Sequence, residues 1–173
     1  MQPVLFQETV SGATGAETDT ILVELHDVVT TSSVVAAVKT VLMTNDSATA
    51  VFSGAITGNT YWIVIKHRNT IQTWSSAPVT FNPINTYDFT SSASQAYGNN
   101  MIEIQSGIWA FYNGDINQDE NIDLIDFPAL DFGINNGLLG YRPTDLNGDG
   151  NVDLLDFPIL DANINAGIFS NHP

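Results

Sequence analysis

The chain has 173 residues, no cysteine, and 19 acidic against 4 basic residues, a net charge of −15. This composition excludes disulfides and thiolate metal sites. It also excludes nucleic acid as a partner, because that binding depends on Lys and Arg neutralising phosphates. A hydrophobic content of 43% is enough for a packed core, and the length suits one domain of about 110 residues plus a small module.

Taken in order, Val4-Leu5-Phe6 is a short apolar run and Ser11–Gly15 a turn. Over Ile21–Asp27 apolar and polar residues alternate, which predicts a strand with Ile21, Val23 and Leu25 facing inward and Glu24 and His26 outward. Val34–Met43 is a long β-branched run, closed by a turn at Asn45-Asp46-Ser47 that carries an N-glycosylation sequon. Ala50–Phe52 is a short apolar segment and Thr57–Asn59 a tight turn. Tyr61–Arg68 is apolar on both faces and turns basic at its end. Ala77–Phe81 reads as an edge strand around Pro78. Tyr87–Phe89, Met101–Gln105 and Ile108–Tyr112 complete seven or eight short strands separated by turn signals, with no helical period before residue 110. That pattern predicts an Ig-like β-sandwich over 1–110.

Residues 111–173 differ in kind. They hold 11 acidic residues and one basic residue, against 8 and 3 in residues 1–110. A twelve-residue loop occurs twice, Asp115–Asp126 and Asp145–Asp156, at an offset of 30. Residues 115–137 and 145–167 are identical at 14 of 23 positions, an internal duplication. Oxygen-bearing side chains fall at loop positions 1, 3, 5, 9 and 12, and position 7 offers a backbone carbonyl. This is the ligand spacing of a calcium loop of the EF-hand type. The first site is then Asp115, Asn117, Asp119, the Asn121 carbonyl, Asp123 and Asp126. The second is Asp145, Asn147, Asp149, the Asn151 carbonyl, Asp153 and Asp156. Two Ca²⁺ ions are expected, and without them the module is expected to loosen under its own carboxylate repulsion. Gly150 stands where the loop requires positive φ; Glu120 occupies that place in the first copy, which predicts strain there. Ile122 and Val152, at position 8, are expected to pair the two loops through a short β-bridge. Pro128 and Pro158 predict a short helix after each loop, starting near the proline.

The duplicated D-x-N-x-D-G-x-[IV]-[DN]-x-x-D pattern, followed by Phe127 or Phe157, resembles the type I dockerin repeat of secreted bacterial proteins over roughly 112–170. The resemblance implies a dockerin-like pair of calcium-binding loop-helix motifs that fold on calcium and can dock onto a cohesin-like partner. Leu124-Ile125 and Leu154-Leu155 are apolar at positions that often carry partner recognition in dockerins. Residues 22–27 and 63–69 resemble a β-sandwich module found near the C-termini of large secreted proteins of gliding and polysaccharide-degrading bacteria. Modules of that kind usually have further strand sequence before the segment matching 4–27, which implies a missing first strand and an open sheet edge.

No Pro, Thr or Ser tract separates Trp109–Tyr112 from Asp115. A module at 111–173 is therefore expected to pack on the 1–110 domain, with Trp109, Phe111, Phe127 and Phe157 at the contact. His26, His67 and His172 show no ligand spacing, and His26 and His67 read as surface strand residues. Tyr61, Trp62 and Trp74 are either core or a platform for sugar rings. Lys66 and Arg68 are expected either to pair with the acidic module of a neighbouring copy or to bind a ligand. No nucleophile–base set, phosphate-cradling glycine loop or acid–base carboxylate pair is found.

The reading is thus mainly β plus small α, and a non-catalytic calcium-binding structural or adhesion subunit. It is placed outside the cell or on its surface because weak calcium loops suit calcium at about 10⁻⁴–10⁻³ M. Met1–Val4 lacks a signal peptide's charged and apolar regions, so the numbering is read as that of a mature or trimmed chain. No membrane insertion is expected. Copies are expected to associate head to tail into a filament. The alternatives are a docking module for a cohesin-like receptor and a carbohydrate-binding module.

Overall fold

The computed structural model describes residue 5 and residues 10–53 and 57–173. Most of the apolar run at residues 4–6 lies outside them. Among the described residues the chain is mainly β, with seven strands and two short α-helices. Among the described residues no helix is long and apolar enough to cross a membrane.

The larger sheet is antiparallel. It contains β1 (Glu17–His26), β2 (Val34–Met43), β3 (Thr60–His67) and β4 (Thr70–Trp74), in the order β2-β1-β3-β4, and β5 (Val79–Thr80) pairs with the start of β3. Val23 sits opposite both Val38 of β2 and Ile65 of β3, so the apolar sets of neighbouring strands share a face. β6 (Ile102–Gln105) and β7 (Ile108–Ala110) form a separate two-stranded sheet. Helices α1 (Phe127–Asn135) and α2 (Phe157–Ala166) each follow one twelve-residue loop, start at the expected place and carry proline in the first turn.

Three expectations for the β region change. Tyr87–Phe89 and Ala50–Phe52 are not strands; their aromatic rings cover the core from irregular backbone. Thr70–Trp74, which carries no alternation because all five residues are buried, is a strand joined to β3 by the two-residue turn Arg68-Asn69. Glu24 and His26 do not face solvent: they are 7% and 5% exposed, because the second face of the sheet is covered as well.

One face carries Ile21, Val23, Leu25, Tyr61, Ile63 and Ile65 beneath Phe52, Phe81, Tyr87, Phe89 and Phe111. Among the described residues this cover leaves a largely apolar cavity of about 680 Å³. The opposite face carries Trp62, Val64 and Trp74. A further core gathers Ile122, Leu130, Leu146, Val152 and Leu160 from the duplicated segment around Ile71 of β4. The duplicated segment therefore has no separate core: a sheet residue sits at its centre, and no linker intervenes.

Candidate metal centre

Each loop is built by its own carboxylates. The position-1 carboxylate of Asp115 accepts from the N–H groups of Asp119 (3.1 Å) and Glu120 (3.2 Å). Asp145 accepts from Asp149 (3.2 Å) and Gly150 (3.1 Å). The position-12 carboxylate of Asp126 reaches back to the N–H groups of Ile116 (2.7 Å), Asn117 (3.1 Å) and Asp123 (3.0 Å). Asp156 does the same with Leu146, Asn147 and Asp153. Neither Asp126 nor Asp156 caps its helix with its side chain; both carboxylates point into the loop. Asn117 and Asn147 donate their amides to Asp119 (2.8 Å) and Asp149 (3.1 Å). Position 9 is local: Asp123 and Asp153 accept from Ile125 and Leu155. Asn121 and Asn151 hold the loop through bonds to Asp119 and Asp149.

The loops do not pair with each other through Ile122 and Val152. Ile122 N–H donates to the Ile168 carbonyl and Val152 N–H to the Leu138 carbonyl, each at 2.9 Å. Asn121 bridges Phe169 and Asn151 bridges Leu139. Each loop thus pairs with the chain that follows the other copy's helix. The 30-residue offset relates the two bridges, so the halves are exchanged by an approximate two-fold. Gly133 of α1 permits the close approach, since a Cβ there would lie 2.6 Å from Val152 Cγ1.

The electrostatics of the loops are one-sided. Asp126, Asp145 and Asp156 are fully buried and Asp115 is 2% exposed. Among the described residues no Lys, Arg or His forms an ion pair with any of the four. Burial pushes the Asp115 carboxyl up to about 6, and repulsion from Asp126 and Asp119 adds to it. Burial also raises Asp145. Asp149 is held down by the Asn151 N–H. Among the described residues no three His, Cys, Asp or Glu side chains gather as a ligand group by themselves; the carboxylates are spread along loop backbone. The full donor set adds Asn side chains and the carbonyls at position 7. Hard, neutral-or-anionic oxygen donors around buried, unpaired carboxylates fit Ca²⁺ in chemistry. Both Asp115 oxygens and the Oδ2 atoms of Asp126, Asp145 and Asp156 each accept one N–H bond and keep a further lone pair, whereas the Oδ1 atoms of Asp126, Asp145 and Asp156 accept two.

Glu120 adopts φ 75°, matching φ 86° at Gly150. The first loop thus places a side chain where the second has glycine, as its sequence predicts.

The other singled-out residues fall elsewhere. His67 Nε2 lies 2.8 Å from Asp19, and His26 Nε2 2.9 Å from Glu24. Neither is a free surface residue. Lys66 pairs with Glu24 at 3.0 Å and Arg68 with Asp19 at 3.2 Å, inside this chain. Trp62, Trp74 and Tyr61 are core residues; Trp62 is enclosed by Trp74 and Tyr97, and Trp74 also by His26 and His172, which leaves no ring face for a sugar. Phe127 and Phe157 stack on each other, 5.7 Å apart, and Phe111 covers the sheet core.

Beside the apolar core around Ile71, against which Phe127 packs, the contact between sheet and loops is made by polar side chains. The Asn69 amide donates to the carbonyls of Pro143 (3.1 Å) and Asp145 (3.2 Å), and Arg68 Nη1 to that of Arg142 (2.8 Å). Asn113 Nδ2 donates to Leu146 (2.6 Å), Ser170 Oγ to Gln72 (2.7 Å), and Asn100 Nδ2 to Phe169 (2.8 Å). Apart from Arg68, these residues have no sequence signal beyond being short polar side chains outside the named strands and helices. Comparison of the chain with family models, curated proteins and solved structures gives no match.

Proposed function

We propose that the chain is a non-catalytic structural or adhesion subunit, secreted or held at a bacterial cell surface, whose dockerin-like loop pair is stabilised by two Ca²⁺ ions. The supporting observation is the set of four buried carboxylates, Asp115, Asp126, Asp145 and Asp156, with no basic side chain paired to them among the described residues. Burying an unpaired carboxylate is costly, and a bound divalent cation removes that cost. The first site would be held by Asp115, Asn117, Asp119, the Asn121 carbonyl, Asp123 and Asp126. The second would be held by Asp145, Asn147, Asp149, the Asn151 carbonyl, Asp153 and Asp156.

Self-association belongs to this reading. β2 is an end strand; Val34, Val35 and Val41 are exposed, and Lys39 is its one charge. Long apolar edges with few charges invite strand addition from another chain. A contact of that kind that does not close on itself builds a filament, and an Ig-like sandwich completed by a neighbour's strand is the form it would take. Calcium titration by calorimetry tests the metal: two ions per chain and a melting temperature lowered by chelator are expected, and no calcium uptake would overturn it. Electron microscopy in millimolar calcium and again in chelator tests the assembly; dispersed monomers in both would remove the filament.

A second reading is a docking module for a cohesin-like receptor. The exposed pairs Leu124-Ile125 and Leu154-Leu155, related by the internal two-fold, favour it. Calcium-dependent 1:1 binding lost in Leu124→Asp/Leu154→Asp would support this reading over self-assembly.

A further inference from the structure

The two loops are not equally supported, and the difference lies outside them. In the first loop the Asp115 carbonyl accepts from Gln118 Nε2 at 2.6 Å, a donor inside the loop that also bonds the Thr70 carbonyl of β4 at 3.3 Å. In the second, residue 148 is glycine, which has no such donor. The Asp145 carbonyl accepts instead from the turn between β3 and β4, from Asn69 at 3.2 Å and, at a longer 3.5 Å, from Arg68 Nη1. The Asn69 amide also holds the Pro143 carbonyl at 3.1 Å.

Asn69 is itself fixed. It is 2% exposed, and its own carbonyl accepts from Gly114 N–H at 2.7 Å, next to the first loop. Beside it, Arg68 holds the Arg142 carbonyl at 2.8 Å. The Arg68 guanidinium also pairs with Asp19 (3.2 Å) and lies 4.6 Å from the centre of the Tyr141 ring.

Resting on the calcium reading above, we propose that Asn69 is the positioning residue of the second loop. It presets the backbone from 143 to 145, and with it the Asp145 carboxylate, so that the second loop takes Ca²⁺ more tightly than the first. A neutral donor suits this role because it orients a carbonyl without repelling the cation. Outer contacts of this kind are worth about 10–100-fold in metal affinity. The first loop is tied to β4 through Gln118, but it holds Gln118 at φ 60° and Glu120 at φ 75° where the second loop has glycine, a backbone cost it meets before the ion arrives.

The test is site-resolved calcium titration of the full chain. Asp115→Ala and Asp145→Ala first assign the two constants; the site kept in Asp115→Ala should be the tighter. Asn69→Ala and the near-isosteric Asn69→Asp, which cannot donate, should then weaken that tighter constant about tenfold and leave the other in place. Gln118→Ala should do the reverse. A general loss of stability would lower both constants together. That outcome, an unchanged tighter constant, or a tighter first loop would each overturn the proposal. The assignment by Asp115→Ala and Asp145→Ala decides the order of affinities even where Asn69→Ala does not fold. Wild-type protein that takes up no calcium fails the calcium reading itself, whereas two ions with no response to Asn69 fails only this inference.

Discussion

Ile71 of β4 and Leu160 of α2 share one fully buried core, although they lie 89 positions apart in the sequence. The sheet and the duplicated loops are therefore expected to unfold together. Truncating Ile71 to Ala should cost about 2–5 kcal/mol, as for other buried Ile or Leu. Denaturation followed by far-ultraviolet and aromatic signals should shift as a single transition. Two separated transitions would show that the halves are independent.

The ligand assignment predicts a count. Asp115→Ala and Asp145→Ala should each bind one Ca²⁺ where the parent binds two, and chelator should lower the parent's melting temperature more than either variant's. Two ions in either variant would contradict the assignment.

Glu120 offers a gain. A non-glycine residue in the left-handed region costs about 1–2 kcal/mol, and glycine gives back about 0.5–1 kcal/mol through its freer unfolded chain. Glu120→Gly should therefore stabilise the calcium-loaded protein by about 0.5–1 kcal/mol, visible in thermal unfolding. The contact given up, to His172 at 3.5 Å, is exposed on both sides and contributes little. A lowered melting temperature would mean that the Glu120 side chain has a role of its own.

Asp19 predicts a pH dependence. Burial alone would raise its carboxyl, but the hydrogen bond and charge of His67, the Arg68 charge and the Tyr141 hydroxyl together hold it below its ordinary value. A folded value below the unfolded one, about 3.9, gives stability that is present above that pH and lost as pH falls through the folded value. The stability gap between the parent and Asp19→Asn should thus be full near pH 6 and shrink toward pH 2–3. Urea denaturation across that range checks it; a gap that stays constant with pH would assign Asp19 a role independent of its charge.

What the sequence determined by itself is local. The two twelve-residue loops are legible as loops because their internal bonds span at most eleven residues, so the places of Asp115, Asp126 and Glu120 in them follow from spacing alone. The two helices were legible for the same reason, since Pro128 and Pro158 fix their first turns. Ile21, Val23 and Leu25 were legible because one face of β1 is uniformly apolar. Tertiary structure decided everything that depends on a second surface. β4 was hidden because both its faces are covered, which removes the period-two signal on which strand reading depends. Glu24 and His26 look like outward residues until the Trp62–Trp74 face closes over them. The bridges from Asn121 to Phe169 and from Asn151 to Leu139, and the hold of Asn69 on Asp145, join residues 48, 12 and 76 positions apart. Such hydrogen bonds leave no periodicity in the chain: the packing of one copy of the repeat on the other creates the bridges, and the docking of the second loop on the turn of β3 and β4 creates the hold of Asn69.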